Sequence, residues 1–264
     1  MTKRAAMKRQ TREGVFDSRQ FAEDSKVRRL PTSHGNHAGH SGHGGWSPNP
    51  SNDDRDQGYL KTLKPRSEGQ AGLLNAIDTS NLTVALGPAG TGKTYLAVAK
   101  AVEALEAGKV GRIVLSRPAV EAGESIGFLP GAMEDKLAPY LRPLYDALSD
   151  RLSMKRVGAL MAEGLIEIAP VGYMRGRTLN NAFIVIDEAQ NCTYVQLKML
   201  LTRLGWHSTM VVTGDPGQTD LLPSLSGLAD IAARLEAVPE ISVVRLAEQD
   251  IVRHPLVASM IGVL

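Results

Sequence analysis

The sequence lacks the features that would place the protein in a membrane or an oxidising compartment. It contains a single cysteine, Cys192, which excludes an internal disulfide framework and is typical of a reducing cytoplasm. No stretch approaches 18 consecutive apolar residues, so the sequence predicts no membrane span. No apolar run follows the early Lys and Arg residues, which argues against a secretory signal. These absences together predict a cytoplasmic protein.

Residues 1–57 have few aliphatic side chains, several glycines and clustered charge, which predicts a disordered basic tail. The tail carries ten Lys and Arg against seven Asp and Glu, whereas the whole chain has a net charge of +2. Such a tail can contact RNA by counterion release, or it can act only as a solvating leader. Its histidines recur every third residue among small polar residues; they are His34, His37, His40 and His43. Imidazoles bind Zn²⁺ or Ni²⁺, but low-complexity disorder is the simpler interpretation.

Residues 58–264 alternate short apolar runs with helical patterns, which predicts one folded domain. The runs at Leu82–Leu86, Arg112–Ser116 and Ile241–Leu246 are typical of buried strands. We expect Leu165–Ala169 to be an inserted hairpin strand near the sheet edge, and Val195–Leu204 to be a helix with one leucine-rich face. Strands that alternate with helices predict an α/β fold, with a parallel sheet covered by helices on both faces.

The strongest motif is GPAGTGKT, a phosphate-binding loop of the form GxxxxGK[ST]. Its residues are Gly87, Pro88, Ala89, Gly90, Thr91, Gly92, Lys93 and Thr94. The glycines allow the backbone N–H groups to surround a polyphosphate, while Lys93 reaches the β- and γ-phosphates and the Thr94 hydroxyl binds Mg²⁺. A Gly-rich turn could match by chance, but a strand precedes the loop and a helical pattern follows it, as nucleotide binding requires.

A second motif, FIVIDEAQ at Phe183–Gln190, is an apolar strand that ends in two acids. This is the Walker B pattern, in which Asp187 holds Mg²⁺ through its water shell and Glu188 accepts a proton from the attacking water. A lone acidic pair can also be a solvated turn or a helix cap. The preceding strand and the complete phosphate loop upstream favour catalysis.

A third element, MVVTGDPGQ at Met210–Gln218, is another apolar strand that leads into a polar turn. We expect Thr213 and Asp215 near the γ-phosphate, with Gln218 positioning the attacking water or sensing the phosphate. The alternative is a simple Gly-Pro turn, because TGDPG is rich in turn-forming residues.

Adenine is the base that the sequence favours, because no Asn-Lys-x-Asp guanine-reading motif is present. Gln70 lies upstream of the phosphate loop, and an amide side chain can pair with the adenine edge. The alternative is an exposed helix residue near an N-cap at Ser67.

These motifs, together with Ser116–Leu148, Tyr173–Ala182, Lys198–Gly205 and Val252–Val257, resemble the PhoH family of ATPases. The resemblance implies a RecA-like sheet similar to the first motor domain of superfamily 1 helicases, Mg²⁺-dependent ATP binding and hydrolysis, and an association with phosphate starvation and RNA metabolism. Some members carry an added PIN nuclease domain, which we do not expect in this sequence.

The sequence departs from the family pattern after the TGD motif. Pro216 and Gly217 precede the glutamine here, and Ser224 stands where the pattern has a basic residue. The glutamine, Gln218, is retained, but the missing basic residue argues against a cationic contact from this loop to phosphate or nucleic acid.

The related helicases supply an arginine to the γ-phosphate from a second motor domain, which this sequence does not contain. We therefore expect a homo-oligomer, such as a hexameric ring, in which a neighbouring subunit supplies the arginine. The candidates are Arg117, Arg142, Arg175, Arg177, Arg203 and Arg253, and Arg253 is our first choice. Most of them could equally be surface ion-pair partners.

Two functions from different classes fit the sequence, and a third is less consistent with it. The first is an ATP-driven motor or remodeller of single-stranded RNA, with a helicase as the extreme form. The alternative is a regulatory ATPase that switches a protein partner by nucleotide state. A small-molecule kinase uses the same loop, but the acid pair followed by the TGD turn and Gln218 fits hydrolysis better.

Overall fold

The structure is a computed structural model that describes residues 63–118, 133–222 and 225–252. All of them belong to one unit, Asp53–Leu264. The predicted tail at 1–57, with its histidine repeat, and the candidate Arg253 lie outside the described residues.

Six strands form one sheet within the described residues. They are β1 (Leu82–Leu86), β2 (Arg112–Arg117), β3 (Ile166–Pro170), β4 (Ala182–Ile186), β5 (Thr209–Gly214) and β6 (Ile241–Arg245). Their order across the sheet is β3-β2-β4-β5-β1-β6, and every pairing is parallel. The carboxyl ends of all six strands therefore meet at one edge, where ligands bind in open α/β sheets.

Six α-helices lie within the described residues, the first of them before β1 and the other five between strands. They are α1 (Glu68–Thr79), α2 (Lys93–Glu106), α3 (Met133–Ser149), α4 (Met154–Ala162), α5 (Tyr194–Leu201) and α6 (Leu228–Leu235). Short 3₁₀ turns follow β3, β4 and β6, at Val171–Met174, Ala189–Asn191 and Glu248–Asp250. No helix among the described residues is long and apolar enough to cross a bilayer.

The core lies on both faces of the sheet, because successive strand residues point to opposite sides. Ile113 and Leu115 of β2 join the cluster that packs against α1, α2, α3 and α4. Val114, between them, joins the opposite cluster, which packs against α5 and α6. The predicted parallel sheet with helices on both faces is confirmed.

Two details of the sequence prediction were wrong. The segment after α4 is a parallel edge strand paired with β2, and not part of a hairpin. Helices α3 and α4 supply the long crossover that a parallel return requires. Helix α5 ends at Leu201, and Leu204 instead forms an isolated bridge with Leu179.

Candidate active site

The phosphate loop connects β1 to α2 at the carboxyl edge of the sheet. Gly87 has φ of +144°, and a Cβ there would lie 2.5 Å from the carbonyl oxygen of Leu246. Gly92 has φ of +84° and is the N-cap of α2. The loop therefore follows a backbone path that needs glycine at both positions, and the N-terminus of α2 faces the region that the loop encloses.

Lys93 is the first residue of α2, and its side chain folds back over the loop. Its Nζ donates to the carbonyl oxygens of Gly87 at 2.6 Å and Pro88 at 2.8 Å. Burial lowers the pKa of Lys93 below its ordinary value of 10.5, although the nearby acids Asp215, Glu188 and Asp187 oppose this shift. The loop thus holds a partly desolvated ammonium group at its centre.

Thr94 and Asp187 form the donor set expected for Mg²⁺. The Thr94 hydroxyl donates to Asp187 Oδ1 at 2.6 Å, and the Thr213 hydroxyl donates to the same oxygen at 2.7 Å. The Asp187 side chain is 2 % exposed. A hydroxyl and a carboxylate beside a phosphate loop fit Mg²⁺, which takes few protein ligands and otherwise binds water and substrate phosphate.

Glu188 follows β4 in a left-handed backbone conformation, with φ of +51° and ψ of +43°. Its Oε1 accepts from Arg117 Nη2 at 3.4 Å, and its Oε2 accepts a short hydrogen bond from Gln190 Nε2. Arg117 Nη1 also donates to Asp187 Oδ2 at 3.3 Å. Both carboxylates therefore share one arginine of their own chain.

The turn after β5 lies directly beside these acids. The backbone forms a tight turn there. The Gly217 N–H donates to the side chain of Asp215, and the Gln218 N–H donates to the Asp215 carbonyl oxygen. The Asp215 N–H donates to Gln190 Oε1 at 3.1 Å, which connects the turn to the residue two positions after Glu188.

One cavity of about 310 Å³ brings the predicted residues together. Its walls come from the phosphate loop, the two acids and the turn after β5, and include Lys93, Thr94, Asp187, Glu188 and Gln218. These residues come from three separate segments, each at the carboxyl end of a strand. The arrangement can hold a polyphosphate next to a carboxylate and an amide.

Gln70 does not line this cavity, but its side chain is hydrogen-bonded to the backbone of the phosphate loop. Its Nε2 donates to the carbonyl oxygen of Thr91 at 3.0 Å, and its Oε1 accepts from the Arg66 N–H at 2.9 Å. The residue is 4 % exposed, so the alternative of an exposed helix residue was wrong. The N-cap at Ser67 is confirmed, while the adenine contact stays a prediction.

The candidate arginines that the structure describes differ in their partners and in their distance from the acids. Arg177 forms a two-point ion pair with Glu167, at 2.6 Å for both contacts. Arg203 donates to the carbonyl oxygen of Arg177 at 2.8 Å. Arg142 and Arg175 are exposed. Arg117 is thus the candidate that the structure places at the acids, among the candidates that it describes.

Sequence reasoning missed two residues of the site. Tyr95 lines the cavity one position after the phosphate loop. Gln190, the last residue of the DEAQ run, is 3 % exposed and joins Glu188 to Asp215. The motif contained Gln190, but its two hydrogen-bond partners depend on the packing of β4 beside β5.

Two solved structures that resemble the chain do so only distantly. The large terminase from a thermophilic bacteriophage has a TM-score of 0.46 and 11% identity, covering 75% of this chain and 50% of that chain. The Pif1 helicase of Bacteroides, bound to ssDNA, has a TM-score of 0.35 and 17% identity, covering 76% and 46%.

Relatives in sequence are much closer. The PhoH-like protein of Bacillus subtilis (strain 168) is 53% identical over 202 residues, which are 76% of this chain and 63% of that protein. The PhoH-like protein of Mycobacterium tuberculosis (strain ATCC 25618 / H37Rv) is 54% identical and is covered to 57%. Protein PhoH of Escherichia coli (strain K12) is 44% identical and is covered to 58%. The matched region thus spans less than two thirds of each relative.

A family model described as PhoH-like protein matches residues 62–264. This range contains the parallel sheet, the phosphate loop and both acids, and the fold is that of a P-loop NTPase. Since the match covers most of the sequence, the chain belongs to the PhoH family.

Proposed function

We propose that the protein binds and hydrolyses ATP in a Mg²⁺-dependent reaction that is coupled to RNA binding or remodelling. The observation that carries this proposal is the meeting of Lys93, Thr94, Asp187, Glu188 and Gln218 around one cavity. A nucleotide-binding protein without hydrolysis needs the loop and the metal site, but not a carboxylate and an amide beside them.

Each residue has a role that follows from its position. Lys93 lies over the loop, where its charge favours the γ-phosphate in the transition state. Glu188 accepts the proton of the attacking water, and Gln218 orients that water. Thr94 and Asp187 would hold Mg²⁺, which would supply positive charge to the phosphate oxygens when bound.

Gln70 belongs to the proposed adenine site. Its amide nitrogen already donates to Thr91, and its oxygen accepts from the Arg66 N–H. An amide carries a second N–H and a second lone pair, which are the groups that adenine requires. We keep this residue as the adenine contact, since the same amide fixes the loop that holds the phosphates.

A homo-oligomeric ring is the proposed assembly. The guanidinium of Arg117 is bound to the acids of its own chain, so a further arginine for the γ-phosphate has to come from elsewhere, and Arg253 of a neighbouring subunit remains our candidate. Sedimentation of the full chain should therefore give an oligomer, and a fully active monomer would contradict the shared site.

Single-stranded RNA is the proposed nucleic-acid partner. Tyr173 is 61% exposed at the carboxyl edge of the sheet, and Arg175 two positions later is exposed. An exposed aromatic ring can stack on a base, and an arginine can pair with phosphate. These side chains lie in the loop after β3, which the Arg177–Glu167 ion pair attaches to the edge strand.

One observation favours the alternative, in which nucleotide state switches a protein partner. Leu222 and Leu225 are 70% and 49% exposed. They lie in a segment that is hydrogen-bonded to the 3₁₀ turn Ala189–Asn191, which directly follows the acids. The bonds join Asn191 to Asp220 at 2.7 and 2.8 Å. A movement of the acids would therefore be transmitted through these hydrogen bonds to an exposed apolar surface.

The test is steady-state ATP hydrolysis by the full chain with Mg²⁺, with and without single-stranded RNA. Glu188→Gln should bind ATP but lose turnover, and Lys93→Ala should lose ATP affinity. RNA should raise the turnover of the wild-type protein.

Each outcome bears on a different part of the proposal. Wild-type turnover in Glu188→Gln would remove Glu188 from the role of base. Turnover that ignores RNA but vanishes in Glu188→Gln would favour the switch acting on a protein partner. No hydrolysis by the wild-type protein under any of these conditions would contradict the proposed enzyme.

A further inference from the structure

The carboxylate of Glu188 is held from two sides by donors of its own chain. Arg117 Nη2 donates to Oε1 at 3.4 Å, and Gln190 Nε2 donates to Oε2. The Glu188 side chain is 36% exposed, which would otherwise leave it free to change rotamer. Both oxygens have a fixed partner instead.

Arg117 connects the two acids of the site. Its Nη1 donates to Asp187 Oδ2 at 3.3 Å while its Nη2 reaches Glu188. Asp187 is almost fully buried, and its other oxygen is used by the hydroxyls of Thr94 and Thr213. The planar guanidinium thus fixes the position of Glu188 relative to an acid that is itself fully engaged.

Gln190 connects Glu188 to the turn after β5. Its Oε1 accepts from the Asp215 N–H at 3.1 Å. A backbone N–H can only donate and the Glu188 carboxylate can only accept, so these two partners determine which end of the amide faces which. The carbonyl oxygen of Gln190 accepts from the hydroxyls of Thr219 and Ser226, at 3.0 and 2.8 Å. The Gln190 side chain is therefore hydrogen-bonded to the Asp215 turn, and its backbone is hydrogen-bonded to the residues that follow that turn.

The backbone at Glu188 is also unusual. Its φ of +51° lies in the left-handed region, which a non-glycine residue keeps only where its surroundings impose it. Strain at a carboxylate that faces the cavity is consistent with a side chain whose direction matters for function.

We propose that Arg117 and Gln190 are positioning residues that hold the Glu188 carboxylate in place for hydrolysis, with Gln190 linking its orientation to the Asp215 turn. The proposal rests on the proposed ATPase function. It also gives Arg117 a role within its own chain, distinct from an arginine supplied to a neighbouring subunit.

A purely structural role for Arg117 would be to neutralise buried Asp187. Arg117→Lys separates the two roles, because lysine keeps the charge but loses the fork that reaches two carboxylates at once. Gln190→Met is the second variant, since it keeps the approximate shape and removes both hydrogen bonds. Arg234→Lys is the matched control, because it makes the same substitution at an arginine that pairs with Asp230 on the surface of α6, away from the acids.

The experiment measures kcat and KM for ATP with Mg²⁺ in the absence of RNA, the affinity for a fluorescent ATP analogue, and the melting temperature. We expect Arg117→Lys and Gln190→Met to lower kcat by about tenfold to a hundredfold, which is smaller than the full contribution of a general base, about a hundredfold to ten-thousandfold. The KM and the analogue affinity should stay near the wild-type values, and the melting temperature should show that each variant is folded at the assay temperature. Arg234→Lys should retain wild-type kcat.

A second measurement asks whether both residues act through Glu188. In single-turnover hydrolysis, adding Arg117→Lys or Gln190→Met to Glu188→Gln should slow the residual reaction no further. Three results would each overturn the proposal: wild-type kcat in both single variants, a loss of kcat matched by an equal loss of analogue affinity, or a further slowing in the double variants. A wild-type protein that is inactive both without and with RNA would instead contradict the proposed function itself.

Discussion

Glu188 occupies a backbone conformation that few L-residues adopt, and it does so at the edge of the candidate active site. The left-handed region costs about 1–2 kcal/mol for a residue with a Cβ. Asn181 and His207 are the other non-glycine residues with positive φ in the described chain. A glutamate in this conformation indicates that function, rather than stability, determines the residue type.

Replacing Glu188 by glycine should therefore give a more stable protein than replacing it by alanine. Both variants lose the same side-chain contacts, but only glycine relieves the left-handed strain, by about 1 kcal/mol. Urea denaturation at pH 7 measures the difference in the free energy of unfolding. Equal stabilities, or a more stable alanine variant, would mean that the backbone at residue 188 is not strained in solution.

At the scale of elements, Asp250 joins the turn after β6 to the first turn of α1. Its Oδ1 accepts from the Gly69 N–H at 3.2 Å, and its Oδ2 accepts from the Ala247 N–H at 2.8 Å. Hydrogen bonds from the Ser67 hydroxyl, then from Ala247 and Gly69, hold the pKa of Asp250 below its ordinary value of 3.8. The carboxylate also lies at a helix N-terminus, where negative charge is favourable.

Asp250→Asn should lower the free energy of unfolding by about 1–2 kcal/mol at pH 7, as expected for hydrogen bonds to a charged group. Because the pKa is lower in the folded protein, the stabilisation is complete above the ordinary value and is lost as pH falls through the folded pKa. Urea denaturation from pH 7 down to pH 3 should show the two proteins converging.

Asp230→Asn is the control for this measurement, because Asp230 is half-exposed and pairs with Arg234 on the surface of α6. Its effect should be small at every pH. A difference between wild type and Asp250→Asn that persists unchanged at the lowest pH would show that the charge of Asp250 is not responsible.

Helix α5 and the segment after β5 are packed together at Gly227. A Cβ on Gly227 would collide with the backbone of Tyr194, the first residue of α5. The Gly227 N–H donates to the carbonyl oxygen of Cys192 at 3.1 Å, and Thr193 bridges Ser226. This contact fixes the segment that leads from the Asp215 turn to α6.

Gly227→Ala should lower the free energy of unfolding by about 1–3 kcal/mol, because the clash is with backbone that cannot rotate away. Gly158→Ala is the matched control: Gly158 lies inside α4 with open space around it, so alanine should stabilise by about 0.5–1 kcal/mol. Denaturation curves measure both. A neutral Gly227→Ala would mean that this contact is looser than the structure has it.

At the scale of the whole molecule, β5 lies between β1 and β4 and brings their loops together. The loop after β1 carries Lys93, and the end of β4 carries Asp187 and Glu188. A nucleotide that contacts both loops would add a connection across three strands, and binding to the folded state alone raises the stability of the whole domain.

ATP with Mg²⁺ at a hundred times its dissociation constant should therefore stabilise the protein by about 2.7 kcal/mol, or roughly 5–10 °C in melting temperature. Glu188→Gln should keep this shift, and Lys93→Ala should lose it at the same ATP concentration. Lys100→Ala is the control on the same helix, because Lys100 pairs with Asp78 away from the cavity. A full shift in Lys93→Ala would contradict the proposed phosphate contact.

The sequence alone determined those features of this protein that a few consecutive residues encode. The phosphate loop, the acid pair and the turn after β5 each combine an apolar strand with a short polar run, and the structure places all three at one edge of the sheet. Strand alternation and helix periodicity are local, so the parallel sheet could also be predicted.

Only the tertiary structure decided which long-range partners these residues have. Arg117 is 70 residues from Asp187 in sequence, and only the pairing of β2 with β4 brings its guanidinium to the acids. The contact of Gln70 with Thr91, the two partners of Gln190 and the parallel direction of β3 depend in the same way on strand order. Hydrogen bonds act over about 3 Å, and chain separation does not reveal which atoms come that close.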